Sequence, residues 1–174
     1  MKIYFATHAT TTDNEQGLSS GHKDAELSKR GIFQAKDLAN QLKNVEFDVI
    51  FCSDLKRAVD TANLAFKSKK PIFIDKRLRE INYGDLNGAK KELVEPIKVD
   101  HIREPFPNGE SYEKRKEMME DFLRELKEKY NGKNILIIGH RATQWSLDVL
   151  LDHKTFKGVI EKPFKWQSYW EYQF

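Results

Sequence analysis

His8 closes the apolar run Ile3-Tyr4-Phe5-Ala6-Thr7, and His140 closes Ile135-Leu136-Ile137-Ile138-Gly139. A neutral imidazole can attack an electrophile or carry a proton near neutral pH, so two of them in one place would make a reactive site. In an open α/β sheet the carboxyl ends of parallel strands converge on the ligand crevice. Two strand-end histidines can therefore meet although most of the chain lies between them.

The intervening sequence predicts elements of that kind. Ser28 reads as a helix cap, followed by Ile32, Ala35, Leu38, Ala39 and Leu42 at spacings of three and four. Phe47 to Cys52 reads as a second strand. Ser53 or Asp54 would then cap a helix with Arg57 in its first turn. A shorter strand is expected at 71–75, and Glu80 falls in an aperiodic segment, Leu78 to Gly88. Ser111 opens a helix with Met119, Phe122, Leu123, Leu126 and Tyr130 on one face, and a strand over 134–139 follows. A helix at 143–151 and an edge strand at 168–174 complete the pattern. This alternation predicts a three-layer α/β/α sandwich with a mostly parallel central sheet, in one domain over 1–174. The turn-rich stretch Thr10 to Asp24 reads as a loop over the site. The charged 85–110 segment, limited by Pro96, Pro105 and Pro107, reads as a cap or substrate loop with a short helix over 90–98. Lys67 to Lys70 reads as an exposed loop.

Composition narrows the function classes. Lys and Arg number 30 against 27 Asp and Glu, and they are scattered, which speaks against a dedicated nucleic-acid binder. The single cysteine, Cys52, permits no intrachain disulfide and reads as a buried strand residue. No apolar run approaches the roughly 20 residues of a membrane span, and the first residues lack the features of a signal peptide. A cytoplasmic protein without membrane or nucleic-acid partners, monomeric or homodimeric, is the expectation.

More specific wording surrounds the two histidines. It comprises His8-Ala-Thr-Thr-Thr-Asp-Asn14, then Gly17, Gly21, Asp24, Leu27-Ser28, Gly31 and Gln34-Ala35. Next come Ser53-Asp-Leu-Lys-Arg57-Ala58 with Thr61-Ala62, Leu78-Arg-Glu80-Ile-Asn-Tyr-Gly84 with Asn87-Gly88, Pro107-Asn-Gly-Glu-Ser111 and Gly139-His140. In this order they resemble the histidine phosphatase (phosphoglycerate mutase-like) superfamily. The resemblance implies a metal-independent phosphomonoester hydrolase without cofactor, acting on a small phosphorylated metabolite through a phosphohistidine on His8. It implies that Glu80 protonates the leaving oxygen and then activates water. Arg57, a protonated His140 and Asn14 would hold the phosphoryl oxygens.

One departure stands out: the family's Arg-His-Gly is here Thr7-His8-Ala9. The Thr7 hydroxyl offers one donor and no charge, and losing a charged transition-state donor costs about 3 to 4 kcal/mol if nothing replaces it. The family usually has glycine after the second histidine, whereas this chain has Arg141. Arg141 either replaces the missing clamp or points into solvent. The remaining alternatives are a catalytically impaired domain that binds a phosphorylated ligand or protein partner, a phosphoglycerate mutase-type phosphotransferase, and a His8, His140 and Glu80 metal site. The short chain favours hydrolysis over mutase chemistry, and Arg57 opposes a cation. His22, His101 and His153 read as solvated, as do Lys90, Lys91, Lys98 and Arg103.

Overall fold

Alternation along β1 (Lys2–Thr7) decides the layering, because successive side chains of a strand point to opposite faces. Ile3 and Phe5 pack on one side with Met119, Phe122, Leu123 and Leu126, whereas Tyr4 and Ala6 pack on the other with Leu38, Ala58, Ala62 and Phe66. The computed structural model describes residues 1–67 and 70–174. After β1 come α1 (Thr12–Glu15), β2 (Leu18–Ser19), α2 (Lys29–Gln41), β3 (Val49–Cys52), α3 (Lys56–Phe66) and β4 (Ile72–Ile74). Then follow β5 (Ala89–Lys90), α4 (Lys91–Val94), α5 (Tyr112–Lys129), β6 (Ile135–Gly139), α6 (Arg141–Leu151), α7 (Phe156–Glu161) and β7 (Trp170–Gln173). The expected loop at Lys67 to Lys70 includes Ser68 and Lys69, which lie outside the described residues.

The main sheet has the order β4-β3-β6-β1-β7, parallel except for β7. Helices α2 and α3 cover one face and α5 and α6 the other, which is the expected three-layer arrangement. β6, central and covered on both faces, is buried from Ile135 to Gly139 and accordingly reads as a continuous apolar run. Ser28 caps α2 by accepting from the Gly31 amide, and Ser111 caps α5 by accepting from Lys114. β7 carries Trp170 and Tyr172 against the α5 side, as its alternation predicts.

Three expectations need correction. Thr10 to Asp24 is not a plain loop, because it holds α1 and β2, and β2 pairs antiparallel with β5 in a second small sheet. Thr11 and Asn14 form a reciprocal capping box that stabilises the single turn of α1, too short to show a helical period. The residue flanking α3 is Leu55, without a side-chain cap; Ser53 Oγ accepts from the Leu55 amide, and Asp54 binds Arg79 instead. In the 85–110 segment the helix α4 is only four residues and runs into a 3-10 turn, Glu95–His101, where Pro96 sits. Among the described residues no helix is long and apolar enough to cross a membrane.

Candidate active site

Parallel pairing of β1 with β6 sets Thr7 opposite Gly139. The ladder runs one step further, with the His8 amide donating to the Gly139 carbonyl at 2.9 Å. The next residues are therefore neighbours, and the His8 and His140 ring centroids lie 5.0 Å apart. His8 Nδ1 contacts the Ala9 carbonyl at 2.7 Å. A carbonyl can only accept, so Nδ1 carries the proton and Nε2 keeps its lone pair. Burial, then the nearby Arg57 charge, push the His8 pKa down from 6.5 to about 3. His8 is thus held as a neutral imidazole with an unprotonated Nε2.

His140 is fully buried at the start of α6, and among the described residues neither ring nitrogen has a hydrogen-bond partner. Burial and the Arg57 charge hold its pKa well below the ordinary value. The donor role expected of His140 belongs to its protonated form, and these influences favour the neutral ring.

Arg57 is 2 % exposed, on the first turn of α3. Nη1 donates to the Lys23 carbonyl at 3.0 Å and Nη2 to the Gly21 carbonyl at 2.7 Å, which ties the guanidinium to the turn after β2. Burial works against its charge, and Glu80 is the strongest of the charges that favour it. The chain after His8 is held by residues that the sequence motifs contain without explaining. Thr61 Oγ1 accepts from the Ala9 amide at 3.0 Å, and Gln34 Oε1 accepts from the Thr10 amide at 3.0 Å. Gly31 admits the Thr10 carbonyl so closely that a Cβ there would lie 1.9 Å from its oxygen.

Glu80 lies outside any helix or strand, and side chains fix it. Its Oε1 accepts from the amides of Ile81 at 2.9 Å and Ala142 at 3.2 Å, the latter at the first turn of α6. Asn87 Oδ1 accepts from the amides of Tyr83 and His22, Asn82 Oδ1 accepts from the Gly84 amide, and Glu110 Oε2 accepts from Asn82. Gly84 has φ +56°, and a Cβ there would meet the Pro107 carbonyl at 1.9 Å. His22, expected in solvent, is half-buried, with Nε2 donating to the Glu80 carbonyl at 2.7 Å. Its sequence context is polar and turn-like, so only the fold could show this contact. His101 stacks on Phe106, and His153 is exposed.

One cavity of about 600 Å³ is lined by Thr7, His8, Asn14, Arg57, Glu80, His140 and Arg141, which are the residues singled out in the sequence. Asn14 Oδ1 is engaged by the Thr11 amide at 3.1 Å, which leaves its NH2 group as the donor side. Arg141 is half-buried rather than solvated. Its guanidinium carbon lies 4.2 Å from the Phe164 ring centroid and 5.0 Å from that of Trp145, and its buried Nε has no partner among the described residues. Lys98, expected on a solvated face, is 5 % exposed, paired with Glu95 at 2.7 Å and set over the Tyr83 and Trp145 rings. Lys91 also lines the cavity, whereas Lys90 and Arg103 are exposed. The segment carrying Phe164 and Trp166 also lines the cavity. Its lack of periodicity hid it, although two large aromatics around Pro163 and Lys165 were the available signal. Among the described residues no group of three His, Cys, Asp or Glu could hold a metal ion, so His8, His140 and Glu80 do not form such a set.

The model of the histidine phosphatase superfamily (branch 1) matches residues 3–155, and the chain belongs to that superfamily. The chain is 31% identical over 151 residues to an adenosylcobalamin/alpha-ribazole phosphatase of Escherichia coli, covering 82% of this chain and 74% of that one. Its fold matches a mycobacterial glucosyl-3-phosphoglycerate phosphatase solved in complex with VO3, with a TM-score of 0.79 and 25% identity over 91% of this chain and 85% of that one. A phosphoglycerate mutase from Bacillus anthracis shares the fold, with a TM-score of 0.76 and 24% identity over 88% of this chain and 80% of that one.

Proposed function

We infer that the protein is a metal-independent phosphomonoester hydrolase that works through a phosphohistidine on His8. The observation that carries this reading is the 2.7 Å contact of His8 Nδ1 with the Ala9 carbonyl on the cavity wall, which requires Nδ1–H and leaves Nε2 as the nucleophile. Attack on phosphorus by Nε2 forms the N–P bond as the ester P–O bond breaks. Glu80 gives its proton to the departing alkoxide. Water, deprotonated by Glu80, then attacks the phosphohistidine and releases phosphate.

Arg57 has two of its five donors on loop carbonyls and can turn others toward the phosphoryl oxygens. Asn14 adds its amide donor, and Thr7 its hydroxyl. In this reading Arg141 supplies the charge that Thr7 lacks: aromatic rings hold the guanidinium while its nitrogen edge remains for two oxygens. A bound phosphate dianion would favour protonation of His140, giving that ring a donor. The 85–110 segment caps the site through Lys91, Glu95 and Lys98.

Phosphate release from a panel of phosphomonoesters in EDTA, for the native protein and for His8→Ala, tests this. Release by the native protein that falls by about 10⁴-fold or more in the variant is expected. Release that survives in His8→Ala, or none from the native protein, would overturn the reading. In the latter case a domain that binds a phosphorylated ligand without turning it over becomes the better account.

A further inference from the structure

The cavity is larger and more aromatic than phosphoryl chemistry needs. Its phosphoryl end is marked by the His8 and His140 rings, 5.0 Å apart. Arg141 follows His140 directly and reaches Phe164, 4.2 Å from guanidinium carbon to ring centroid, so the aromatic wall begins one side chain away from the reacting centre. Phe164 is anchored by near-parallel stacking on Trp170 of β7 at 6.4 Å. Trp166, two residues on, is 58% exposed, lines the same cavity, and has no aromatic pairing among the described residues. Exposed large aromatics are unremarkable singly, but two that line one cavity of about 600 Å³ give an otherwise polar site a ring surface for a ligand.

One charge on the wall is already engaged. Lys98 is buried, paired with Glu95 and set over the Tyr83 and Trp145 rings. Lys91 and Lys162 also line the cavity. Beside them the wall offers ring surface at Phe164 and Trp166.

We propose that the surface formed by Phe164 and Trp166 is a leaving-group subsite, and that the substrate is a phosphomonoester whose alcohol carries a planar aromatic ring system. This rests on the phosphatase reading above and specifies its substrate class. Stacking and burial of a bicyclic ring on this wall would favour such esters by about tenfold or more over an alkyl ester of equal reactivity.

The test compares 2-(1-naphthyl)ethyl phosphate with propyl phosphate, both esters of primary alcohols, so that leaving-group reactivity is matched. Phosphoserine and 3-phosphoglycerate are run alongside. The expected kcat/KM for the naphthyl ester exceeds that for the propyl ester at least tenfold, and in Trp166→Ala this ratio shrinks to within about threefold. Trp166 is exposed, so its replacement should leave folding intact. Binding of the same two esters to His8→Ala, measured by calorimetry, separates recognition from chemistry. Ring-dependent binding without turnover would sustain the subsite while overturning the phosphatase reading. Turnover with no ring preference, a preference for the small acidic esters, or a ratio that Trp166→Ala does not change would overturn the subsite.

Discussion

His8 and His140 are placed by backbone: a parallel ladder, extended by one bond beyond Thr7 and Gly139, leaves their rings side by side. Glu80, which lines the same cavity, is placed by side chains. Asn82, Asn87, Glu110 and His22 tie down an aperiodic segment whose own backbone forms little regular structure. The half made of strands cannot shift without breaking the sheet, whereas the half made of coil depends on several polar contacts. This division suits the proposed chemistry, in which the nucleophile must hold one line of attack and the acid must serve first one oxygen and then another.

Glu80→Gln gives the largest expected effect on the coil half. It keeps an acceptor for the Ile81 and Ala142 amides and removes only the proton, so kcat should fall by about 10²- to 10⁴-fold with folding unchanged. A steady-state assay checks this, and activity within severalfold of native would take the acid role from Glu80. A smaller loss, at most about 10²- to 10³-fold in kcat/KM, is expected for Arg141→Met, which keeps apolar contact with Phe164 and Trp145 while removing the charge. An unchanged kcat/KM would mean that Thr7 needs no substitute clamp.

The smallest effect concerns stability, and it belongs to the strand half. The folded pKa of His8 lies at about 3 and that of His140 well below its ordinary 6.5. Below pH 6.5 the unfolded chain binds protons that the folded protein refuses, so stability falls as pH drops from 6.5 toward 3. Each histidine contributes at most about 1.4 kcal/mol per pH unit to that slope. Urea unfolding of the native protein and of His8→Gln between pH 7 and pH 4.5 should show a shallower loss in the variant. Equal slopes would show that His8 is not held neutral.

Much of this division was legible beforehand, because strands and helices announce themselves by period. Apolar runs ending in His8 and His140, and the cap at Ser28, located the strand half and its flanking helix. Glu80 is found through its family motif, since no period marks it; Asn82, Asn87 and Glu110 stand in the quoted motifs, but the pattern does not show that they hold this segment. His22 meets the Glu80 carbonyl from a distant turn, and Thr61 and Gln34 hold Ala9 and Thr10 across elements. Such contacts join residues far apart in the chain, which a pattern read along it does not reveal. Phe164 and Trp166 were missed for the same reason, as their meaning depends on Arg141 lying beneath them in sequence but beside them in space.

The central claim is that His8 Nε2 becomes phosphorylated. Rapid acid-free quenching of the native protein during turnover of a phosphomonoester, followed by peptide mass spectrometry, tests it directly. An alkali-stable, acid-labile phosphoryl group on the peptide containing His8 is the predicted result. Sustained hydrolysis with no phosphoryl group on His8, or with one on another residue, would contradict it.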